Sequence, residues 1–144
     1  MSTTGLETFD KTLHLTHVWL GEIVARIGPD KQVAWRVLGA VLHVLRDRLQ
    51  PDLSAHLASQ LPLLVRGLYY DQYEPSGLPS QVDSAHEFTQ RVAAILHDIR
   101  PVDPEDAARA VFSVLSRHVS DGLLDNVRHA LPKSVAALWP QMAE

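Results

Sequence analysis

Shifted by seventy residues, the chain matches itself. Ala40 to Tyr69 lies on Ala110 to Trp139 without a gap, and nine of these thirty positions are identical. The identities are Ala40/Ala110, Val41/Val111, Val44/Val114, Leu45/Leu115, Leu53/Leu123, Leu61/Leu131, Pro62/Pro132, Val65/Val135 and Leu68/Leu138. Leu42/Phe112, Leu49/Val119, Leu57/Val127 and Tyr69/Trp139 keep their apolar or aromatic character. Every shared position is apolar or a helix breaker, so what repeats is a packing pattern with its interruptions, not a chemical motif. Trp19, Ile23 and Ile27 match Phe88, Val92 and Leu96 more loosely, at an offset of sixty-nine. A unit whose helices each leave an apolar stripe open is hard to stabilise alone, and stacking two such units buries the remaining stripe. The expectation is an all-α single domain, 1–144, of two tandem helical units. Each unit has about 70 residues in the order long, long, short, short, stacked as a compact pseudo-symmetric bundle or a short superhelix. The units run approximately over 5–70 and 80–140, with a linker over 71–80.

Local signals place the helices. Leu6, Phe9, Leu13, Leu20, Ile23 and Ile27 form one stripe at steps of three and four with Thr16 skipped, ended by Gly28-Pro29. Asp30 offers a cap to a second long helix carrying Ala34, Val37, Leu38, Val41, Leu42, Leu45 and Leu49. Pro51 suits a first helical turn, so a short helix with Leu53, Leu57 and Leu61 follows. Pro62 then starts another, facing inward with Val65, Leu68 and Tyr69. Asp71 to Ser80, with two prolines and a glycine, reads as the linker. Ser80 with Asp83 resembles a capping box ahead of Phe88, Val92, Ile95 and Leu96. Asp103-Pro104-Glu105-Asp106 is the strongest helix start, because it combines a cap acid, proline and acids where the helix dipole is positive. No segment sustains a period of two between hairpin turns.

Several function classes are excluded at this level. No cysteine is present, which removes disulfides, thiolate metal sites and a cysteine nucleophile. Thirteen basic against seventeen acidic residues leave a net charge of −4, which argues against a nucleic-acid partner. The first ten residues carry Glu7 and Asp10 and no apolar core of a signal peptide, and no window approaches a membrane span. The chain therefore reads as a cytoplasmic protein without membrane contact. The glycines are scattered, so phosphate loops are absent, and no serine stands in a nucleophile elbow.

Trp19 to Ile23 (WLGEI), Leu42 to Leu49 (LHVLRDRL), Gln60 to Tyr70 (QLPLLVRGLYY) and Val114 to Val119 (VLSRHV) resemble a bacterial family of uncharacterised proteins, domain of unknown function 2267. The resemblance runs from about Gly5 to Trp139 and is most specific over Gln60 to Tyr70. It implies a small all-helical bacterial protein and brings no catalytic residues with it.

Candidate sites are few. His14 and His17, three apart on a helix, could face one metal ion, but spacing fixes no third ligand, so no metal or other cofactor is expected. His43, Asp47 and His56 form a candidate polar cluster: His43 and Asp47 are four apart, and His56 lies on the helix that turns back beside them. Such a pair is half of a general-base arrangement, yet no nucleophile or oxyanion site accompanies it, and a structural hydrogen bond is the simpler reading. Arg36, Arg46, Arg48 and Arg66 are the one basic cluster. Arg46 and Arg66 correspond to Ser116 and Ala136 in the repeat, and Tyr70 to Pro140, so packing alone does not call for them. Arg46, Arg66, Tyr69, Tyr70 and Tyr73 are the candidate partner-contact patch, arginine and tyrosine being enriched at interface hot spots. The alternative is that Arg66 pairs with Asp47 or Glu74 and that Tyr69, matching Trp139, belongs to the core. Trp19, Trp35 and Trp139 would seal the ends of the helical layers, and Gly39 suits a close helix crossing.

The sequence is thus read as a non-enzymatic protein–protein interaction module whose partner is an unspecified protein, with a homodimer through an outer apolar surface as one form. The rivals are a small-molecule or metal-binding protein using the cleft between the repeats, lined by His43 and His56, and a DNA-binding helix-turn-helix protein. The last is disfavoured by charge and by the absence of basic residues from Asp52 to Gln60.

Overall fold

A computed structural model of the chain describes residues 3–141. All eight regular elements among them are helices: α1 (Glu7–Ile27), α2 (Lys31–Arg48), α3 (Pro51–Ser59), α4 (Leu63–Tyr70), α5 (Ala85–Ile95), α6 (Pro104–His118), α7 (Asp121–His129) and α8 (Lys133–Ala136). Their boundaries follow from local chemistry. The α1 helix stops at Gly28, which takes φ 55° and returns its N–H to the Val24 carbonyl. Asp30 accepts the Val33 N–H at the start of α2, and Asp103 accepts those of Glu105 and Asp106 at the start of α6.

The breaks recur in backbone geometry. Gln50 and Ser120, ahead of α3 and α7, have φ/ψ of −61°/145° and −61°/142°. Pro62 and Pro132, ahead of α4 and α8, have −54°/149° and −54°/146°. Matched apolar residues also share their fate: Val41/Val111, Leu42/Phe112, Leu45/Leu115, Leu57/Val127 and Val65/Val135 are all fully buried. The central helices α2 and α6 pack on each other, as do α3 and α7, while α1 crosses onto α6 and α5 onto α2.

Two local expectations are corrected. Leu6, Phe9 and Leu13 do not continue the buried stripe of Leu20 and Ile23 but are exposed, because α1 begins two turns before anything covers that face. The box ahead of α5 uses Ser84 and Glu87, not Ser80 and Asp83: Ser84 Oγ accepts the Glu87 N–H and Glu87 Oε2 accepts the Asp83 N–H. The last short helix, α8, is only one turn long. Trp19 and Trp139 are buried and Trp35 is partly so. Gly39 is where α4 comes close, since a Cβ there would stand 3.1 Å from Leu68 Cδ1.

Candidate functional site

The proposed contact patch divides into buried and exposed members. Arg46 is 4% exposed. Its Nε lies 2.8 Å from Asp47 Oδ1, and its Nη1 donates to the carbonyls of Tyr69 at 2.8 Å and Asp71 at 2.9 Å. Its guanidinium carbon sits 5.1 Å from the centre of the Tyr73 ring. A cation here satisfies the last carbonyls of α4 and holds the linker as it leaves the helix. Tyr69 is fully buried, receives the Ser54 Oγ proton at 2.6 Å and gives its own to the Ser54 carbonyl at 3.1 Å. Burial pushes its phenol well above the usual range, so it stays protonated. Neither residue can meet a partner.

Arg66 does not pair with Asp47 or Glu74. Its Nε donates to the Ala58 carbonyl and one Nη to those of Ser59 and Leu61, closing the end of α3. Tyr70 is exposed, edge-on to Tyr69 at 5.2 Å and tilted against Tyr73 at 5.4 Å. Tyr73 is half-buried, with its hydroxyl enclosed and unpartnered. Arg36 reaches across to Asp98 at 2.6 Å, a hydrogen bond that holds this carboxyl below the usual range.

The polar cluster does not assemble. His43 Nε2 donates to the Leu68 carbonyl at 2.7 Å, Asp47 serves Arg46, and His56 is exposed on α3. His43 and Asp47 instead line a cavity of about 360 Å³ between α2 and α5, with Arg91 and Ile95 opposite. Burial lowers the His43 pKa below the ordinary 6.5. The folded state therefore takes up this proton less readily than the unfolded chain, so stability is fullest above 6.5 and falls as pH drops through it. The urea midpoint of the wild type should fall more between about pH 7.5 and about pH 5.5 than that of His43→Gln, in which this dependence is gone. Equal pH profiles would show that His43 carries none of it.

Of the α1 histidines, both exposed, His17 Nδ1 accepts from Lys31 Nζ at 3.1 Å. No helix among the described residues is long and apolar enough to cross a membrane.

Two features escaped the sequence reading. Five of the seven large apolar side chains exposed among the described residues, Leu6, Phe9, Leu13, Leu63 and Leu64, fall on the first turns of α1 and the start of α4. These elements are joined where Thr12 Oγ1 accepts the Leu64 N–H at 3.0 Å. A signal was present, because Leu63 and Leu64 correspond to the polar Lys133 and Ser134 in the repeat. Beside this surface lies a cleft of about 330 Å³ between α1, the α3–α4 corner and the end of α6, with Lys11, Trp19, Leu61, Leu63, Arg66 and His118 in its lining. The His118 ring stacks on Trp19 at 5.3 Å, its Nε2 donates to Glu22 Oε2 at 2.8 Å, and Arg117 stands 3.5 Å from the other Glu22 oxygen. Gln60, at the same corner, closes the two ends of one bridge: its Oε1 accepts the Ser120 N–H and its Nε2 donates to Ser120 Oγ.

No curated protein matches the chain. Residues 16–138, which carry α2 to α8 and most of α1, match the family described as "Uncharacterized conserved protein (DUF2267)". With the match extending over most of its length, the chain belongs to the DUF2267 family.

Proposed function

We propose that the protein is a non-enzymatic interaction module of the bacterial cytoplasm that holds an apolar helical segment of another protein on the surface formed by α1 and α4. The observation that carries this reading is the exposure of Leu6, Phe9, Leu13, Leu63 and Leu64 on two adjoining elements, five of the seven large apolar side chains exposed among the described residues. Large apolar side chains exposed together on adjoining elements mark interaction surfaces when they form a patch. Leu6, Phe9 and Leu13 follow helical spacing, so they present a ridge against which the apolar face of a second helix can lie. Arg46 and Tyr69 support this surface from within by fixing α4 and the linker.

Panning a displayed library of random helical peptides tests the reading. Peptides with apolar residues at i, i+3 and i+7 should be enriched on the wild type and lost on Phe9→Asp and Leu13→Asp. Both variants should melt within about 2 °C of the wild type, because neither residue is buried. Enrichment that ignores these substitutions, or no enrichment at all, would overturn the proposal. A concentration-dependent rise in mass abolished by Phe9→Asp would replace the heterologous partner with a second copy of the chain.

A further inference from the structure

We infer that the cleft between α1, the α3–α4 corner and the end of α6 is a binding site for a small monocarboxylate with a compact apolar body. Its apolar lining is Leu15, Pro62 and the exposed Leu63 over a floor of the buried Trp19 and Leu61, and its polar side chains include Lys11, Thr12 and Arg66. Lys11 makes no hydrogen bond or ion pair within the described residues. Arg66, although fixed by three carbonyls, leaves its Nη1 unbonded. Thr12 Oγ1 accepts from Leu64 N and still has its own proton to give. Among the described residues no Asp or Glu lines the cleft, although the chain as a whole is acidic at −4. Cations without an acidic partner beside apolar side chains select one negative charge attached to an apolar group, because a polyanion would gain nothing from Leu15 or Leu63 and a neutral ligand nothing from Lys11.

The other half of the molecule supports the same conclusion. At the corresponding corner the chain runs its own linker across: Arg48, the counterpart of His118, donates to the Val82 carbonyl at 2.8 Å, and the Val82 side chain is fully buried. Ala85 N–H is tied to Ser134 Oγ at 2.8 Å, Ser134 being the counterpart of Leu64. One corner is therefore closed by a carbonyl oxygen and a branched apolar side chain belonging to the protein. The other offers cations beside the side chains of Leu15 and Leu63. The volume, about 330 Å³, suits a body of about ten non-hydrogen atoms at roughly 30 Å³ for each water displaced.

The assignment does not depend on the peptide surface proposed above, and its test uses a different readout. 3-Phenylpropionate is titrated into the ¹⁵N-labelled protein, with 3-phenylpropionamide and inorganic phosphate as controls. Saturable shifts of the Trp19 indole N–H and of the Lys11, Thr12 and Leu61 amides are expected, with a Kd from roughly 0.1 to 5 mM. Lys11→Gln should weaken binding about fivefold and Lys11→Glu should abolish it; both variants fold, since Lys11 is exposed and bonded to nothing. Failure to saturate by about 20 mM, equal binding of the amide, the same shifts from phosphate at lower concentration, unchanged binding by Lys11→Glu, or shifts centred on His43 would each overturn the assignment.

Discussion

Arg46→Ala is expected to lower the unfolding free energy by roughly 3 to 4 kcal/mol. The substitution removes a buried guanidinium that serves three acceptors at once: Asp47 Oδ1 and the carbonyls of Tyr69 and Asp71. Each orphaned carbonyl costs about 1 to 3 kcal/mol where water cannot replace the donor, and the lost stem leaves a void against Tyr73. Because Asp71 is at the edge of the linker, water will reach its carbonyl and reduce the sum. Arg46→Lys keeps the charge but not the fork, so it should recover about half of the loss. Arg46→Met keeps the volume without the donors, and should remain close to alanine if hydrogen bonding dominates packing. Urea unfolding at one pH measures all three. A destabilisation under about 1 kcal/mol by Arg46→Ala, together with loss of selected peptides, would return Arg46 to the contact patch in which the sequence pattern placed it.

Arg46 also shows where sequence reading stops. Comparison of the halves marks it as unneeded for packing, since Ser116 stands at the matching place and bonds only to the Phe112 carbonyl of its own helix. Arg46 is nonetheless buried, so the inference of an outward role fails. The first half continues past Tyr70 into a linker whose turn leaves carbonyls to be satisfied, whereas α8 is a single turn with its own backbone bonds from Ala137, Leu138 and Trp139. The need for Arg46 arises from acceptors more than twenty residues away, which no local period encodes. Ser54 and Tyr69 tell the same story: their hydroxyl pair answers to Leu124 and Trp139 in the second half, so one half closes this contact with hydrogen bonds and the other with apolar positions. Helix starts at Asp30 and Asp103, the breaks at Pro51 and Pro62, and the inward faces of α2 and α6 were legible because neighbouring residues decide them. The exposed ridge of Leu6, Phe9 and Leu13 was not. Helical period says that these residues share a face, and only tertiary packing says that nothing lies on it.

Leu45→Ala and Leu115→Ala should each cost about 3 kcal/mol, within about 1 kcal/mol of each other, and each should leave a single cooperative transition. Both side chains are fully buried, at matched positions of the two central helices, so the transfer and cavity costs are alike. Retention of one transition follows from the crossed packing. Because α1 packs on α6 and α5 on α2, neither half can loosen its central helix without uncovering a long helix of the other. Independent units stacked end to end would behave differently, since weakening one would melt it first and split the curve. The tryptophans separate these outcomes, because Trp19 and Trp35 report from the first half and Trp139 from the second. Fluorescence from variants keeping a single tryptophan should coincide with circular dichroism across the urea transition, with both midpoints displaced by about 2 M. A biphasic trace for either variant would mean that the halves unfold separately. Combining the two removes about 6 kcal/mol, comparable with the whole stability of many domains of this size, so the double variant should be largely unfolded at room temperature.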